Sequence, residues 1–166
     1  MQIFWIISLL AAFIYAKPVE SFTSSFTQTI TSEQNDSVVY EGAVYFKADR
    51  ALWHYKIPNE KLIYIHPETV TVVEPELEQA IISSHNEIRR MQSLLDDWLE
   101  DGEKVIQYDG IKYLVIFKDG LPQSINYLDT LENRVSIKLS NIQIGKSIDT
   151  QLFIPQIPQE FDIINY

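Results

Sequence analysis

Two Asp-Gly pairs, Asp109-Gly110 and Asp119-Gly120, each separate two runs in which apolar residues alternate with polar ones. An Asp-Gly pair in this setting is the strongest short-range signal for a β-hairpin, because both residues tolerate the positive φ angles of a two-residue turn. The flanking runs predict strands at residues 103–108, 112–117, 122–128 and 132–140. The second half of the chain is therefore expected to be an antiparallel meander.

The first half of the chain also predicts strands, at residues 21–31, 38–47, 51–57, 61–65 and 69–74. The threonines of the first segment favour a strand over a helix, since β-branched side chains lose rotamer freedom in a helix and pack well on a pleated sheet. In the third strand, Ala51, Trp53, Tyr55 and Ile57 fall on one face. Residues 77–83 and 151–154 are two further candidate strands, the second one lying just before Pro155 and Pro158.

One helix is predicted between the two groups of strands. Residues 84–87 read Ser-His-Asn-Glu, which has the form of a capping box. Apolar residues then recur at spacings of three and four until Asp101-Gly102 ends the pattern. They are Ile88, Met91, Leu95 and Trp98.

The first sixteen residues contain a short apolar run and no charged side chain, and Lys17 follows them. This pattern predicts a signal peptide over residues 1–16, cleaved after Ala16, and an uncleaved anchor is the alternative. Residues 17–166 are long enough for a single domain. The chain has no cysteine, which excludes both disulfides and lipid attachment at an N-terminal cysteine. A soluble exported protein is therefore predicted.

The composition argues against several classes of function. The net charge of −10 disfavours binding to nucleic acid. The three histidines, His54, His66 and His85, have unrelated spacings and no cysteine beside them, so we predict no metal. The sequence also has no glycine-rich phosphate loop and no G-x-S-x-G motif. We therefore expect neither a cofactor nor an enzyme.

Several segments resemble the outer-membrane lipoprotein carrier family, LolA, in order and spacing. The opening strand contains Phe22 and a Ser-Phe-Thr-Gln stretch at 25–28, and it is followed by Glu41-Gly42 and by Trp53-His54. Further on, Glu74-Pro75 precedes Leu-Glu-Gln-Ala at 77–80, and the chain ends with Phe153 and a proline-containing tail at 155–164. No single motif is specific, and the resemblance lies in their common order along the chain.

The resemblance implies a mainly β fold with a helical lid: an incomplete antiparallel β-barrel, or half-barrel, with an apolar concave groove. It further implies a periplasmic chaperone that takes lipoproteins from an inner-membrane ABC transporter, as a monomer, and escorts their acyl chains to the outer membrane and possible receptors there. A lipid-binding or envelope-sensing protein on the same fold, without transport, is the alternative. The groove is expected to involve Val44, Phe46, Trp53, Tyr55, Ile88, Met91, Leu95 and Trp98.

Two departures from the family pattern concern the lid. The family's Lys-Arg pair before a proline reads Lys47-Ala48-Asp49 here, so Lys47 and the nearby Arg50 are the candidate gate residues. Only residues 17–20 precede the first strand, so the family's N-terminal helix is expected to be missing. The aromatic residues of the third strand also have a simpler interpretation, in which they pack against the helix as core and leave no space for a ligand.

A separate motif lies in the loop at residues 33–37, which reads Glu-Gln-Asn-Asp-Ser. It contains the N-x-S acceptor pattern for N-glycosylation and fits the extended acidic form used by some bacterial oligosaccharyltransferases. Asn35 is therefore a candidate modification site.

Overall fold

The protein is described here by a computed structural model that covers residues 21–84, 101–108 and 110–166. All of the described strands belong to one 11-stranded sheet. In chain order the strands are β1 (Ser21–Thr31), β2 (Ser37–Lys47), β3 (Arg50–Ile57), β4 (Lys61–Ile65), β5 (Thr69–Glu74), β6 (Gln79–Ser84), β7 (Gly102–Tyr108), β8 (Ile111–Lys118), β9 (Leu121–Leu128), β10 (Arg134–Ile144) and β11 (Asp162–Asn165).

Two antiparallel meanders make up most of this sheet. Their strands follow the order β11-β6-β5-β4-β3-β2-β1-β10-β9-β8-β7, so that β1 pairs with β10 and joins the first meander to the second. The prediction of a mainly β, open-sheet protein is confirmed. The last strand departs from the expected antiparallel arrangement, because β11 pairs with β6 in a parallel direction.

The hairpin between β8 and β9 has the geometry that its sequence predicts. Lys118 pairs with Leu121, and the two residues between them have positive φ angles, 55° at Asp119 and 67° at Gly120. Positive φ at both central positions is the mark of the type I′ turn, whose twist matches that of the strands. The Asp101 side chain stabilises this turn by accepting a hydrogen bond from the Gly120 backbone N–H at 2.9 Å.

The strands separate their side chains onto two faces, as the period of two requires. We call inner the face that carries the larger buried cluster, which includes Phe22, Phe26, Val44, Phe46, Trp53, Tyr55, Ile63, Val72, Ile81, Tyr113, Val115, Ile125, Tyr127 and Ile137. The outer face carries a smaller cluster around Leu52, Tyr64, Val73, Ala80, Ile148 and Phe153. On β3 the predicted division holds, with Trp53 and Tyr55 on the inner face and Leu52 on the outer.

The inner face is concave, because side chains from distant strands lie near each other on it. Tyr55 on β3 and Tyr127 on β9 are four strands apart in the sheet. Since neighbouring strands are about 4.8 Å apart, a flat sheet would separate them by roughly 19 Å. Tyr55 nevertheless lies close enough to contribute to the raised pKa of Tyr127, after the larger effect of burial. The sheet therefore curves, and side chains from its two halves converge on the inner face.

The outer face is covered in part by the segment between β10 and β11. Phe153, with none of its surface exposed, packs there with Ile148 against residues of β3 to β6. The His66 Nε2 lies 2.8 Å from the Phe153 carbonyl oxygen, and Ser21 Oγ donates to the Lys146 carbonyl at 2.6 Å. These contacts hold the segment on the outer side of the sheet.

The candidate strand at residues 151–154 is wrong. Thr150–Phe153 forms a short 3-10 helix instead, and the Asp149 side chain caps it by accepting from the Gln151 N–H at 3.0 Å. The other candidate strand is confirmed with a shift, since Pro75–Leu77 forms a 3-10 turn and β6 begins only at Gln79.

Two sequence predictions lie outside the described residues: the helix and lid at 85–100, and the signal peptide at 1–16. The helical lid therefore stays a prediction. In the part of the chain that the structure describes, no helix has the length and apolarity to cross a membrane.

Candidate functional site

A cluster of aromatic rings lies at the centre of the inner face. The Phe26 ring of β1 contacts two rings of β3, with centroid distances of 5.0 Å to Trp53 and 4.8 Å to Tyr55. Tyr40 of β2 approaches Tyr55 edge-on at 6.0 Å. Tilted and edge-on pairs of this kind are the favourable arrangements for aromatic rings. The cluster gives the inner face a rigid aromatic wall.

The predicted groove residues of β2 and β3 lie together on this face. Val44, Phe46, Trp53 and Tyr55 are all buried, with 0 to 4% of their surface exposed. They form one contiguous cluster with Phe26. The other four predicted groove residues, Ile88, Met91, Leu95 and Trp98, lie outside the described residues. The assignment of these eight residues to an acyl-binding groove stays a prediction.

A few polar groups interrupt the apolar inner face. The Tyr55 hydroxyl donates a hydrogen bond of 2.9 Å to Gln28 Oε1. Burial raises the pKa of the Tyr55 hydroxyl, and Tyr40 raises it further. The pKa of Tyr127 is also raised by burial, with smaller contributions from Tyr55, Tyr113 and Asp129. This region therefore disfavours negative charge.

A polar network lies on the same face across β4, β5 and β6. Glu74, which is buried, accepts a hydrogen bond from Gln79 Nε2 at 2.6 Å and lies 3.9 Å from Lys61 Nζ. The same ammonium group lies 5.4 Å from the centre of the Tyr55 ring. Burial lowers the pKa of Lys61, and the carboxylate of Glu74 opposes this shift. Lys61 and Glu74 therefore offset each other's charge beside the aromatic cluster.

The candidate gate residues lie on the other side of the sheet. Lys47 follows the inner-face residue Phe46, so its side chain points to the outer face, where Nζ donates to the Ile148 carbonyl oxygen at 2.5 Å. Arg50 pairs with Lys47 across the hairpin and is exposed, with Nε 3.7 Å from Asp49. Any effect of these two residues on closure over the inner face would therefore be indirect, and their gate role stays a prediction.

The remaining residues singled out from the sequence have local structural partners. Asn35 lies in the exposed β1–β2 turn with a φ of 66°, and its Oδ1 accepts from Arg134 at 2.7 Å. His54 Nε2 lies 2.8 Å from Glu60 Oε1, and His66 contacts Phe153 as described. His85 lies outside the described residues. Within the described ranges, no group of three or more histidine or acidic side chains could hold a metal ion.

The sequence analysis missed three residues of this site: Phe26, Gln28 and Tyr127. The first two could have been found, because positions 26 and 28 on a predicted strand share one face. Tyr127 could not, because its place beside Tyr55 depends on the pairing of β1 with β10, which no local pattern indicates.

These features define an open-sheet β protein with one concave, aromatic-rich face, and a solved structure has the same fold. The crystal structure of a LolA superfamily protein from Nitrosomonas europaea matches with a TM-score of 0.50 at 12% identity, over 89% of this chain and 96% of that one. At this identity the similarity concerns the fold alone.

The sequence comparisons identify the family. The family model described as outer membrane lipoprotein carrier protein LolA matches residues 17–107. An outer-membrane lipoprotein carrier protein of Campylobacter jejuni is 37% identical over 87% of this chain and 86% of its own length. The protein of the same name from Wolinella succinogenes is 35% identical, over 93% of this chain and 91% of its own length. The chain belongs to the outer-membrane lipoprotein carrier family, whose members are carriers rather than enzymes.

Proposed function

We propose that this protein is a soluble periplasmic carrier, which binds the acyl chains of lipoproteins released from the inner membrane and escorts them to the outer membrane. The observation that supports this most directly is the aromatic cluster of Phe26, Trp53 and Tyr55 on the concave face of an open sheet. Aromatic-lined concave surfaces are where apolar ligands usually bind. The family to which the chain belongs gives the class of cargo.

The physical need for such a carrier follows from the cost of exposing acyl chains to water. Removing one methylene group from water is favourable by about 0.8 kcal/mol of free energy, so long acyl chains stay in a membrane or a binding site. A lipid-modified protein therefore does not cross an aqueous compartment by itself. The carrier must also release its cargo, and burial against side chains achieves retention without a covalent bond. The predicted helix at 85–100 is the proposed cover of the inner face, and its opening would control delivery.

The proposed partners follow from this route. An inner-membrane lipoprotein-releasing ABC transporter would supply the cargo, and an outer-membrane receptor could accept it. Export would precede both steps, with residues 1–16 removed and residues 17–166 acting as the single carrier domain. The match of the family model from residue 17 supports this division.

A matched pair of substitutions on β2 tests the proposal. Val38 and Val39 are neighbours with nearly equal exposure, 48% and 46%. Val38 pairs with Ile30 on the inner face, whereas Val39 points to the outer face. Because both side chains are half exposed, Val38→Glu and Val39→Glu should each change the free energy of unfolding by only about 0.5 kcal/mol.

Loading should separate the two variants, because only Val38→Glu places a carboxylate at the edge of the acyl-binding face. We expect Val38→Glu to retain roughly tenfold less lipoprotein released from inner-membrane vesicles, and Val39→Glu to match the unmodified protein. Equal loading of the two variants would contradict the assignment of the inner face. Mass spectrometry of co-purified lipid adds a second readout: intact lipoprotein supports a carrier, and free glycolipid alone supports the non-transporting lipid binder.

A further inference from the structure

Four buried polar side-chain atoms lack a hydrogen-bond partner among the described residues: Gln28 Nε2, Trp53 Nε1, Tyr127 Oη and Ser83 Oγ. Buried polar groups are nearly always paired, and each exception in a native structure calls for a specific explanation. All four residues lie on the inner face of the sheet. Ser83 is separate on β6, whereas the other three surround the aromatic cluster.

The geometry brings the three side chains to one region of the concave face. Gln28 is held by its bond to the Tyr55 hydroxyl, which fixes the position of its free amide nitrogen. Trp53 lies two residues before Tyr55 on β3, and both rings contact Phe26. Tyr127 lies on the same face two strands from Gln28, since Gln28 pairs with Ile137 and Ile137 pairs with Ile125, two residues before Tyr127.

The chemistry of these atoms specifies what could satisfy them. An amide nitrogen and an indole nitrogen are donors only, and a phenol hydroxyl donates readily. A partner must therefore present acceptor oxygens. The partner should also be uncharged, because the ammonium of Lys61, which lies beside the Tyr55 ring, is already close to the carboxylate of Glu74. The raised pKa of both tyrosines reflects the same resistance of this environment to negative charge.

We infer that Gln28, Trp53 and Tyr127 form a polar subsite for the neutral carbonyl oxygen of an acyl ester or acyl amide, the group that joins an acyl chain to the rest of its molecule. This inference rests on the proposed function, and it adds a selectivity that burial of acyl chains alone would not give. The subsite accepts carbonyl-linked acyl chains and discriminates against ether-linked chains and free fatty acids. The aromatic wall beside it takes the first part of the hydrocarbon.

The test compares lipids of equal chain length that differ in their linkage, with the glycerol ester and the glycerol ether as the matched pair. Binding of a monoacylglycerol ester, an acylated peptide amide, the corresponding alkyl glycerol ether and the free fatty acid is measured with the purified, delipidated protein. We expect the ester and amide to bind roughly 10-fold more tightly than the ether, at about 3- to 10-fold for each hydrogen bond. The fatty acid carboxylate should bind more weakly than either.

Tyr127→Phe removes one unpaired hydroxyl and nothing else, so it should fold at least as well as the unmodified protein. It should reduce the preference for ester over ether by about 3- to 10-fold while leaving ether binding unchanged. Tyr55→Phe combined with Gln28→Met removes the internal bond and the amide donor together, and it should have a similar effect. Tyr45→Phe is the matched control, since Tyr45 lies on the neighbouring strand but packs on the outer face.

Each outcome has a definite meaning. If the unmodified protein binds ester and ether equally well, the subsite is wrong while the proposed acyl-chain carrier stands. If the preference is present but Tyr127→Phe and the double variant retain it, the subsite is again contradicted. If none of the four lipids binds, the proposed function fails and the subsite with it.

Discussion

The ring of Phe26 lies directly over Gly42 on the neighbouring strand, where a β-carbon would approach Phe26 Cε1 and Cζ to 2.8 Å. The same β-carbon would lie 2.1 Å from the His54 carbonyl oxygen. Glycine at this position therefore lets an aromatic ring cross from β1 towards β3 and contact Trp53 and Tyr55. The packing of the inner-face cluster therefore depends on the absence of a β-carbon at Gly42 as well as on the aromatic rings.

Gly42→Ala should consequently destabilise the protein. A clash with backbone cannot be relieved by a rotamer change, so we expect a loss of about 2–3 kcal/mol in the free energy of unfolding and a lower melting temperature. Urea unfolding followed by circular dichroism measures both. Gly145→Ala is the control, because nothing lies within 4 Å of its β-carbon and only its φ of 72° opposes the change, at a cost of about 1 kcal/mol. Equal losses in the two variants would contradict the proposed role of Gly42.

The tyrosines of the inner face predict a loss of stability at high pH. Their pKa values are raised above the ordinary value of about 10. Below that pH both the folded and the unfolded states are protonated, and the full stability is present. Above it the unfolded state loses protons that the folded state retains, so stability should fall by about 1.4 kcal/mol per pH unit for each tyrosine.

Urea unfolding between about pH 9 and pH 11.5 measures this slope. The variant that carries both Tyr55→Phe and Tyr127→Phe should show a distinctly shallower dependence than the unmodified protein. The same slope in both proteins would mean that these two tyrosines ionise alike in the folded and unfolded states.

On the outer face, the segment between β10 and β11 should contribute strongly to stability. Within this segment, Phe153 is completely buried against the sheet, whereas its neighbour Leu152 is 38% exposed. We expect Phe153→Ala to cost about 3–5 kcal/mol in the free energy of unfolding, because it leaves a cavity against the sheet. Leu152→Ala should cost less than about 1 kcal/mol. Chemical denaturation of the pair measures this, and comparable losses would argue against a close-packed anchor.

Export is predicted to leave a chain that begins at Lys17, because the apolar run before it has the length of a signal peptide. N-terminal sequencing of the periplasmic protein checks the cleavage site. A form that keeps Met1 and fractionates with the membrane would instead support the uncleaved anchor.

Glycosylation at Asn35 is the last prediction, and the exposed turn makes the side chain accessible to an enzyme. The native protein should then exceed the unmodified chain by the mass of one glycan, and Asn35→Gln should remove the difference. An intact mass equal to that of the unmodified chain would dispose of the assignment.

Local patterns predicted most strands closely, and β4 and β5 have the predicted bounds. The Asp-Gly turns and the alternation of apolar residues act over a few residues, so they can be read from the sequence. The strand β11 was missed because Ile163 and Ile164 are adjacent and show no alternation, and because its parallel partner β6 lies about half the chain length away. The 3-10 helix at Thr150–Phe153 was missed because its capping residue, Asp149, lies outside the apolar run.

In the candidate site, too, local patterns predicted some features, and others depended on contacts between distant parts of the chain. Alternation correctly grouped Trp53 with Tyr55. The same rule applied to β2 would have placed Val44 and Phe46 on one face and Lys47 on the other. The convergence of Tyr55 and Tyr127 could not be predicted, because it depends on the curvature of the whole sheet.

Among the described strands, that sheet ends in two edges, β7 and β11, which are not hydrogen bonded to each other. In a closed barrel the number of strands and their stagger fix the radius. Here the radius is free to change, since the sheet bends more or less without the loss of any bond between strands. If the protein carries acyl chains as proposed, such a sheet would let one carrier adjust its interior to cargo with long, short or several hydrocarbon tails.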